Sequence, residues 1–213
     1  MIDIKQFKTR HGTNDRGILR EVIELDCYGI KNINIDSGNI IDIGGQIGSF
    51  SVLVADKYPR CQIYSYEMLK ENFDLLKVNT EKYKNIKIFN AAVIGDNPAG
   101  SMYIHPKNTG GHCLIFNGEN NVDVEQINIK DIIEDKEIEL LKSDCEGSEF
   151  EIFRAIEKYN LFKNIKRIVM ETHEHSGNDS MEIENMLTRQ GYKFKVYINP
   201  GDKKLKTILA FKD

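Results

Sequence analysis

Asn39-Ile40-Ile41-Asp42-Ile43-Gly44-Gly45-Gln46-Ile47-Gly48 reads as a buried strand, an acidic residue near its end, and a glycine turn opening a helix. Glycines allow a sharp turn and a close approach of ligand to peptide, which a Cβ would prevent. The stretch predicts an α/β fold with a nucleotide-type ligand beyond the first strand's carboxyl end.

Asp42 narrows the ligand. A pyrophosphate loop avoids a carboxylate at its mouth, whereas a ligand carrying an amino group and a sulfonium, such as S-adenosylmethionine, welcomes one. Asp42 either reaches that amino end through water or ties down its own turn, and the first role is the favoured expectation.

On the amino-terminal side, Thr13 or Asn14 can cap a helix with Ile18, Val22 and Leu25 on one face and Cys27 and Tyr28 near its end. Residues 1–35 are read as an N-terminal helical cover, and 36–213 as a catalytic α/β core within one domain spanning 1–213. Downstream, a helix runs from about Ile47 to Tyr58 and a second strand from Gln62 to Tyr66. A helix follows with Leu69, Phe73 and Leu76 at helical spacing, then a third strand over Ile86 to Val93. Turn residues crowd the segment from Gly95 to Gly118, which is the candidate substrate loop and holds Tyr103, His105, His112 and Phe116.

Further strands are expected at Val124 to Ile129, Ile138 to Ser143 and Ile165 to Met170, with a helix bearing Phe150, Phe153 and Ile156 between the last two. Asp179 and Glu182 resemble a capping box, and Lys193 to Tyr197 with Thr207 to Phe211 form a terminal hairpin around Asn199 to Asp202. Strand–helix alternation of this kind gives a doubly wound, mostly parallel, Rossmann-like sheet.

In such a sheet the polar groups at strand ends converge. Glu67, ending the second strand, is positioned to accept hydrogen bonds from both ribose hydroxyls of a cofactor, or else to start the next helix electrostatically. Asn90 and Ala91 either form a lip around an adenine ring or make a plain small-residue bend. The expected cofactor set is Asp42, Gly44, Gly45, Gly48, Glu67, Asn90, Ala91 and Asp144. Asp144, Glu146 and His173 are the candidate catalytic residues. His173 is taken as a base following a strand beside Asp144, Glu149 as a helix-capping carboxylate, and His175 as solvent-facing. No dedicated metal site is expected. A divalent cation on Asp144 with Glu171 or His173 is the unfavoured variant, since their spacing matches no strong metal motif.

Three blocks carry a family resemblance: Asp42 to Ser51; Glu67 with Asn72, Phe73 and Asn79; and Leu141-Lys142-Ser143-Asp144-Cys145-Glu146-Gly147-Ser148-Glu149. Together they resemble the signature of the FkbM-type methyltransferases over roughly residues 35 to 175. Lys-x-Asp-x-Glu-Gly-x-Glu is the specific block. Gly45 stands where that family often has alanine, and Lys70 where it often has proline. The resemblance implies a class I methyltransferase with a seven-stranded sheet, S-adenosylmethionine as donor, and methylation of a hydroxyl oxygen on a sugar, glycan or other small metabolite. A dinucleotide-binding dehydrogenase using NAD competes, although the loop lacks Gly-x-Gly-x-x-Gly in register, as does a ligand-binding module without turnover.

Composition sets further expectations. A net charge of −4 with mixed Lys, Asp and Glu gives no dominant basic face, so a small-molecule or glycan partner is expected and nucleic acid is not. Four scattered cysteines without a CxxC pair read as reduced thiols, and the amino terminus lacks a signal-like apolar run. With no uncharged stretch of bilayer length, the expectation is a cytoplasmic protein without membrane contact.

Overall fold

The computed structural model describes residues 2–99, 101–103, 113–115, 124–174 and 178–212. Its strands are β1 (Gly38–Ile43), β2 (Cys61–Tyr66), β3 (Ile86–Phe89), β4 (Ala92–Ile94), β5 (Ser101–Tyr103), β6 (Cys113–Ile115), β7 (Gln126–Asn128), β8 (Ile138–Ser143), β9 (Arg167–His173), β10 (Lys193–Ile198) and β11 (Leu205–Phe211). The α-helices are α1 (Asp15–Leu19), α2 (Ser49–Lys57), α3 (Lys70–Thr80), α4 (Ile129–Ile133), α5 (Glu149–Lys158) and α6 (Ser180–Arg189).

Seven strands form one sheet in the order β10-β11-β9-β8-β1-β2-β3. β3, β2, β1, β8 and β9 are parallel, while β11 runs antiparallel to both β9 and β10. Successive β1 side chains serve opposite faces. Ile41 and Ile43 pack with Phe150, Phe153, Ile156 and Ile183 of α5 and α6, and Ile40 packs with Phe50 and Val54 of α2 and with Leu19, Val22, Tyr28 and Ile30. The amino-terminal segment thus covers the α2 side of the sheet. The doubly wound, Rossmann-like architecture is the one expected. Chain order reverses between β1 and β8, which makes the gap beyond their carboxyl ends the switch point where such folds bind ligands.

Four local departures have physical causes. The amino-terminal helix is α-helical only to Leu19 and continues as a π-helical turn over Arg20–Glu24. The wider turn rotates the apolar stripe, so Leu19, Val22 and Ile23 are buried while Leu25 is 62% exposed. The expected strand over Ile86 to Val93 is broken because Asn90 donates its side-chain amide to the carbonyls of Glu67 and Met68. β4 consequently leaves the main sheet and pairs in parallel with β7. Where the sequence was read as strand up to Ile129, Asn128 instead caps α4 by accepting from the Lys130 N–H. Finally β9 runs on through His173, so Glu171 and His173 stand on a strand and not on the loop after it.

Candidate active site

At the end of β1 the N–H groups of Gly44 and Gly45 both donate to the Tyr66 carbonyl, and Asp144 N–H donates to the Ile43 carbonyl. The ends of β1, β2 and β8 are thereby laced together. Gly44 has φ +80°, and a Cβ there would lie 1.9 Å from the Asp144 carbonyl oxygen. Gly44→Ala is expected to cost about 2–5 kcal/mol, from the left-handed backbone and the overpacking together. A lowered urea midpoint with loss of cofactor binding is the outcome to look for, and an alanine variant as stable as the native protein refutes it.

Glu67 is only 6% exposed and accepts from two backbone groups, Gln46 N–H at 2.8 Å and Leu69 N–H at 2.8 Å. Burial raises its pKa to about 7 against the opposing pull of those donors and of the Asn72 amide. The Asn72 amide is a third, weaker donor at 3.4 Å, so a pair of ligand hydroxyls would take the remaining acceptor position and compete with that amide for another. Such donors stabilise the ionised form, so their binding releases a proton wherever Glu67 is protonated beforehand. Affinity for S-adenosylhomocysteine is accordingly expected to rise as pH increases from about 6 to about 8, and Glu67→Gln to flatten this dependence. Calorimetry across that range decides it: equal pH slopes in both proteins exclude Glu67 as the linked group.

Asp42 is fully buried and accepts from Ser51 Oγ at 2.7 Å and Ser65 Oγ at 3.2 Å. Its other oxygen lies 3.2 Å from Lys142 Nζ, and Nζ in turn donates to the carbonyls of Gly44 at 2.6 Å and Ile43 at 3.1 Å. This geometry gives Asp42 the second of its two expected roles, anchoring the turn from behind. Asp42 and Lys142 are direct neighbours in the β1–β8 register. Burial works against the Lys142 ammonium, but Asp42 and Asp144 overcome it and raise its pKa.

Across the switch point, Glu149 is fully buried and accepts from Cys145 N–H and Gly147 N–H, each at 2.7 Å. It clasps the whole turn carrying Asp144 and Glu146, which goes beyond the helix-capping role expected of it. His173 Nδ1 lies 3.2 Å from Glu149 Oε1. His173 Nε2 faces Glu146 Oε2 at 3.4 Å, Glu171 Oε2 at 3.7 Å and Asp144 Oδ1 at 3.9 Å. Burial disfavours the imidazolium, yet Glu149, Asp144 and Glu146 prevail and raise its pKa to about 10. Burial, reinforced by the neighbouring carboxylates and opposed by His173 and Lys142, also raises Glu146 to about 7 and Glu171 to about 8.

Tyr28 reaches this cluster from the amino-terminal cover, donating its hydroxyl to Asp144 Oδ2 at 2.6 Å. Sequence reading assigned no role to Tyr28 or Lys142. Nothing local marks Tyr28, whereas a lysine within the apolar run Ile138 to Ser143 signals a buried partner, and Asp42 in the neighbouring strand is the matching charge.

One cavity of about 870 Å³, within the usual range for a ligand site, lies at these strand ends. Gly44, Gly45, Glu67, Ala91, Asp144, Glu146 and His173 line it. Asp42, Gly48 and Asn90, also expected in the cofactor set, are not among the residues that line it. His105, His112, Phe116 and His175 fall outside the described residues, and Tyr103 is described only in its backbone.

Residues 42–194 match the family described as "Methyltransferase FkbM domain". The chain belongs to the FkbM methyltransferase family. This FkbM methyltransferase is 24% identical over 212 residues to "Methyltransferase sdnD" of Sordaria araneosa, covering 82% of this chain and 81% of that protein. Among solved structures it resembles a precorrin-6y C5,15-methyltransferase from Geobacter metallireducens GS-15, with TM-score 0.57 and 16% identity, covering 99% of this chain and 96% of that one. It also resembles an rRNA methylase from Streptococcus thermophilus, with TM-score 0.55 and 8% identity, over 89% and 94% of the two chains.

The protein is thus an S-adenosylmethionine-dependent methyltransferase of class I, Rossmann-like fold, and the dehydrogenase reading is set aside. The site fits that cofactor: a glycine turn with no room for side chains adjoins the cavity-lining carboxylate of Glu67, whose weakest donor, the Asn72 amide at 3.4 Å, a ligand hydroxyl can replace. The exclusion of nucleic acid as a partner is corrected. The same fold occurs in an rRNA methylase, so a net charge of −4 carries no such exclusion. No helix among the described residues is long and apolar enough to cross a membrane.

Proposed function

We propose that this FkbM methyltransferase methylates a hydroxyl oxygen of a sugar, glycan or other small metabolite. One observation carries the reading: beyond the ends of β8 and β9, the cavity is lined by the carboxylates of Asp144, Glu146 and Glu171 around His173. Such a wall accepts hydrogen bonds from several hydroxyls at once, and it has groups able to take up the proton that an attacking alcohol must lose.

S-adenosylmethionine supplies, when bound, a methyl carbon already activated by its sulfonium. Glu67 would hold its ribose hydroxyls, with Gly44, Gly45 and Ala91 forming the wall and Asp42, Gly48 and Asn90 fixing that wall from behind. Asp144, its side chain positioned by Tyr28, would contact donor or acceptor. His173, expected as the base, has acceptor oxygens beside both ring nitrogens, so without a cation on Nε2 it is instead a hydrogen-bond donor that orients carboxylates. The proton of the acceptor hydroxyl would pass to a carboxylate, with Glu171 the one nearest the β11 wall through its pairing with Thr207. Holding acceptor and donor in line accounts for the largest share of the rate, worth ~7–11 kcal/mol in well-aligned reactions.

A cytosolic setting belongs to the same proposal, since Cys27, Cys61 and Cys145 are free thiols. Incubation of cell extract with the protein and methyl-labelled donor, followed by mass analysis, tests the reading. A labelled methyl ether on a small hydroxylated compound or glycan is expected. Label confined to RNA, or to nitrogen or carbon of a small molecule, overturns it.

A further inference from the structure

We propose that Asp144, Glu146 and His173 form a binding site for one divalent cation at the acceptor end of the cavity. Each offers one ligand atom, and these atoms all lie within 4.8 Å of one another. From His173 Nε2 the distances are 3.4 Å to Glu146 Oε2 and 3.9 Å to Asp144 Oδ1. A first-row cation held at about 2.0–2.2 Å from each ligand spaces neighbouring ligand atoms about 3–4 Å apart, so little rearrangement is needed.

The imidazole is already oriented for ligation. Its Nδ1 lies against Glu149, whose carboxylate is fully buried and fixed by the N–H groups of Cys145 and Gly147. A carboxylate behind the far nitrogen is the arrangement that sets ring direction and ligand strength in metal-bound histidines. Here the same Glu149 also fixes the turn carrying the other two ligands, so all three are positioned by one anchor.

A separate observation on the same turn points to a missing partner. Ser148 lines the cavity with its side chain 1% exposed, and its Oγ has no hydrogen-bond partner. Leaving a buried hydroxyl unsatisfied costs ~1–3 kcal/mol, and water bound to a cation in this cavity would supply the partner. The charge balance agrees, because Asp144, Glu146, Glu149 and Glu171 converge on His173 with Lys142 4.0 Å from Asp144 on its other side. One imidazole with two carboxylates suits Mn²⁺, Fe²⁺, Co²⁺ or Zn²⁺ better than the all-oxygen preference of Ca²⁺. Three protein ligands leave positions for water and for an acceptor hydroxyl. The cation's role in polarising that hydroxyl rests on the O-methylation reading, whereas its binding does not.

The test uses the full chain, stripped with chelator and titrated with MnCl₂ under electron paramagnetic resonance, with S-adenosylhomocysteine binding measured separately by calorimetry. One bound Mn²⁺ per chain is expected, with nitrogen coupling from an imidazole in the pulsed spectrum. His173→Ala should abolish that coupling, and both His173→Ala and Glu146→Gln should weaken Mn²⁺ by at least about tenfold. Unchanged S-adenosylhomocysteine affinity in both variants would show that they remain folded. No Mn²⁺ uptake at millimolar concentration, or uptake unaffected by either variant, overturns the site. Failure of the native protein to bind S-adenosylhomocysteine would instead overturn the donor assignment and leave the cation result standing.

Discussion

Glu67→Ala is expected to weaken S-adenosylhomocysteine binding by at least about 10²-fold, since two hydrogen bonds to a charged acceptor are worth ~1.5–3 kcal/mol each. The substitution also removes the acceptor that holds Gln46 N–H and Leu69 N–H, so the mouth of the glycine turn and the start of α3 loosen together. Glu67→Gln separates the two effects. Its amide oxygen can still accept from one backbone donor, so the turn is retained in part, while the charge that receives a pair of hydroxyls is gone. The expected order of affinity is native, then Gln, then Ala, by calorimetry at a pH above that at which Glu67 ionises. Native-like affinity in the alanine variant would mean that the ribose is held elsewhere.

Lys142→Met has the largest expected effect on stability, about 3–5 kcal/mol, because it leaves a carboxylate buried without its cation. Asp42 is 0% exposed and Lys142 3% exposed, so neither charge has water to fall back on. Lys142 also holds the carbonyls of Ile43 and Gly44, and losing it frees the turn that forms the donor wall. Asp42→Asn in the same chain removes the stranded charge and should recover part of the loss, because an amide costs less to bury than a carboxylate. Urea unfolding of the two single variants and the double variant gives the coupling energy. If the double variant loses the sum of the single losses, the two residues are not coupled and the latch is refuted.

Glu67 and the Asp42–Lys142 pair differ in how far the sequence alone reveals them. The position of Glu67 on the cavity wall is legible because a carboxylate ending the strand after a glycine turn falls at the ligand end of a doubly wound sheet. Asp42 stands out in the sequence, but the side of the sheet it serves does not. Whether it faces the ligand or the interior depends on which face of β1 it occupies and on the hydroxyls of Ser51 and Ser65 meeting it there. The cluster of Asp144, Glu146 and His173 is visible in the sequence as a set of residue types at two strand ends. Its internal order is not, since Glu149 proves to be the anchor of the turn and His173 a group enclosed by carboxylates.

Departures in the fold have the same origin. A break at Asn90 depends on carbonyls more than twenty residues away in sequence, and the exposure of Leu25 on a π-helical turn whose sequence carries ordinary helical periodicity. Tyr28 and Asp144 are brought together across 116 residues of chain. No window of local pattern contains both.

Periodicity, the glycine turn and the Lys-x-Asp-x-Glu-Gly-x-Glu block determined the alternating architecture, the ligand end of the sheet and the family, because backbone preference and apolar spacing act over a few residues. Packing decided the rest: which carboxylate is buried as an anchor, which lines the cavity, and which side chains of the amino-terminal cover enter it. Those outcomes depend on strand register and long-range contact, through which desolvation and neighbouring charge give the same residue type different chemistry at different depths.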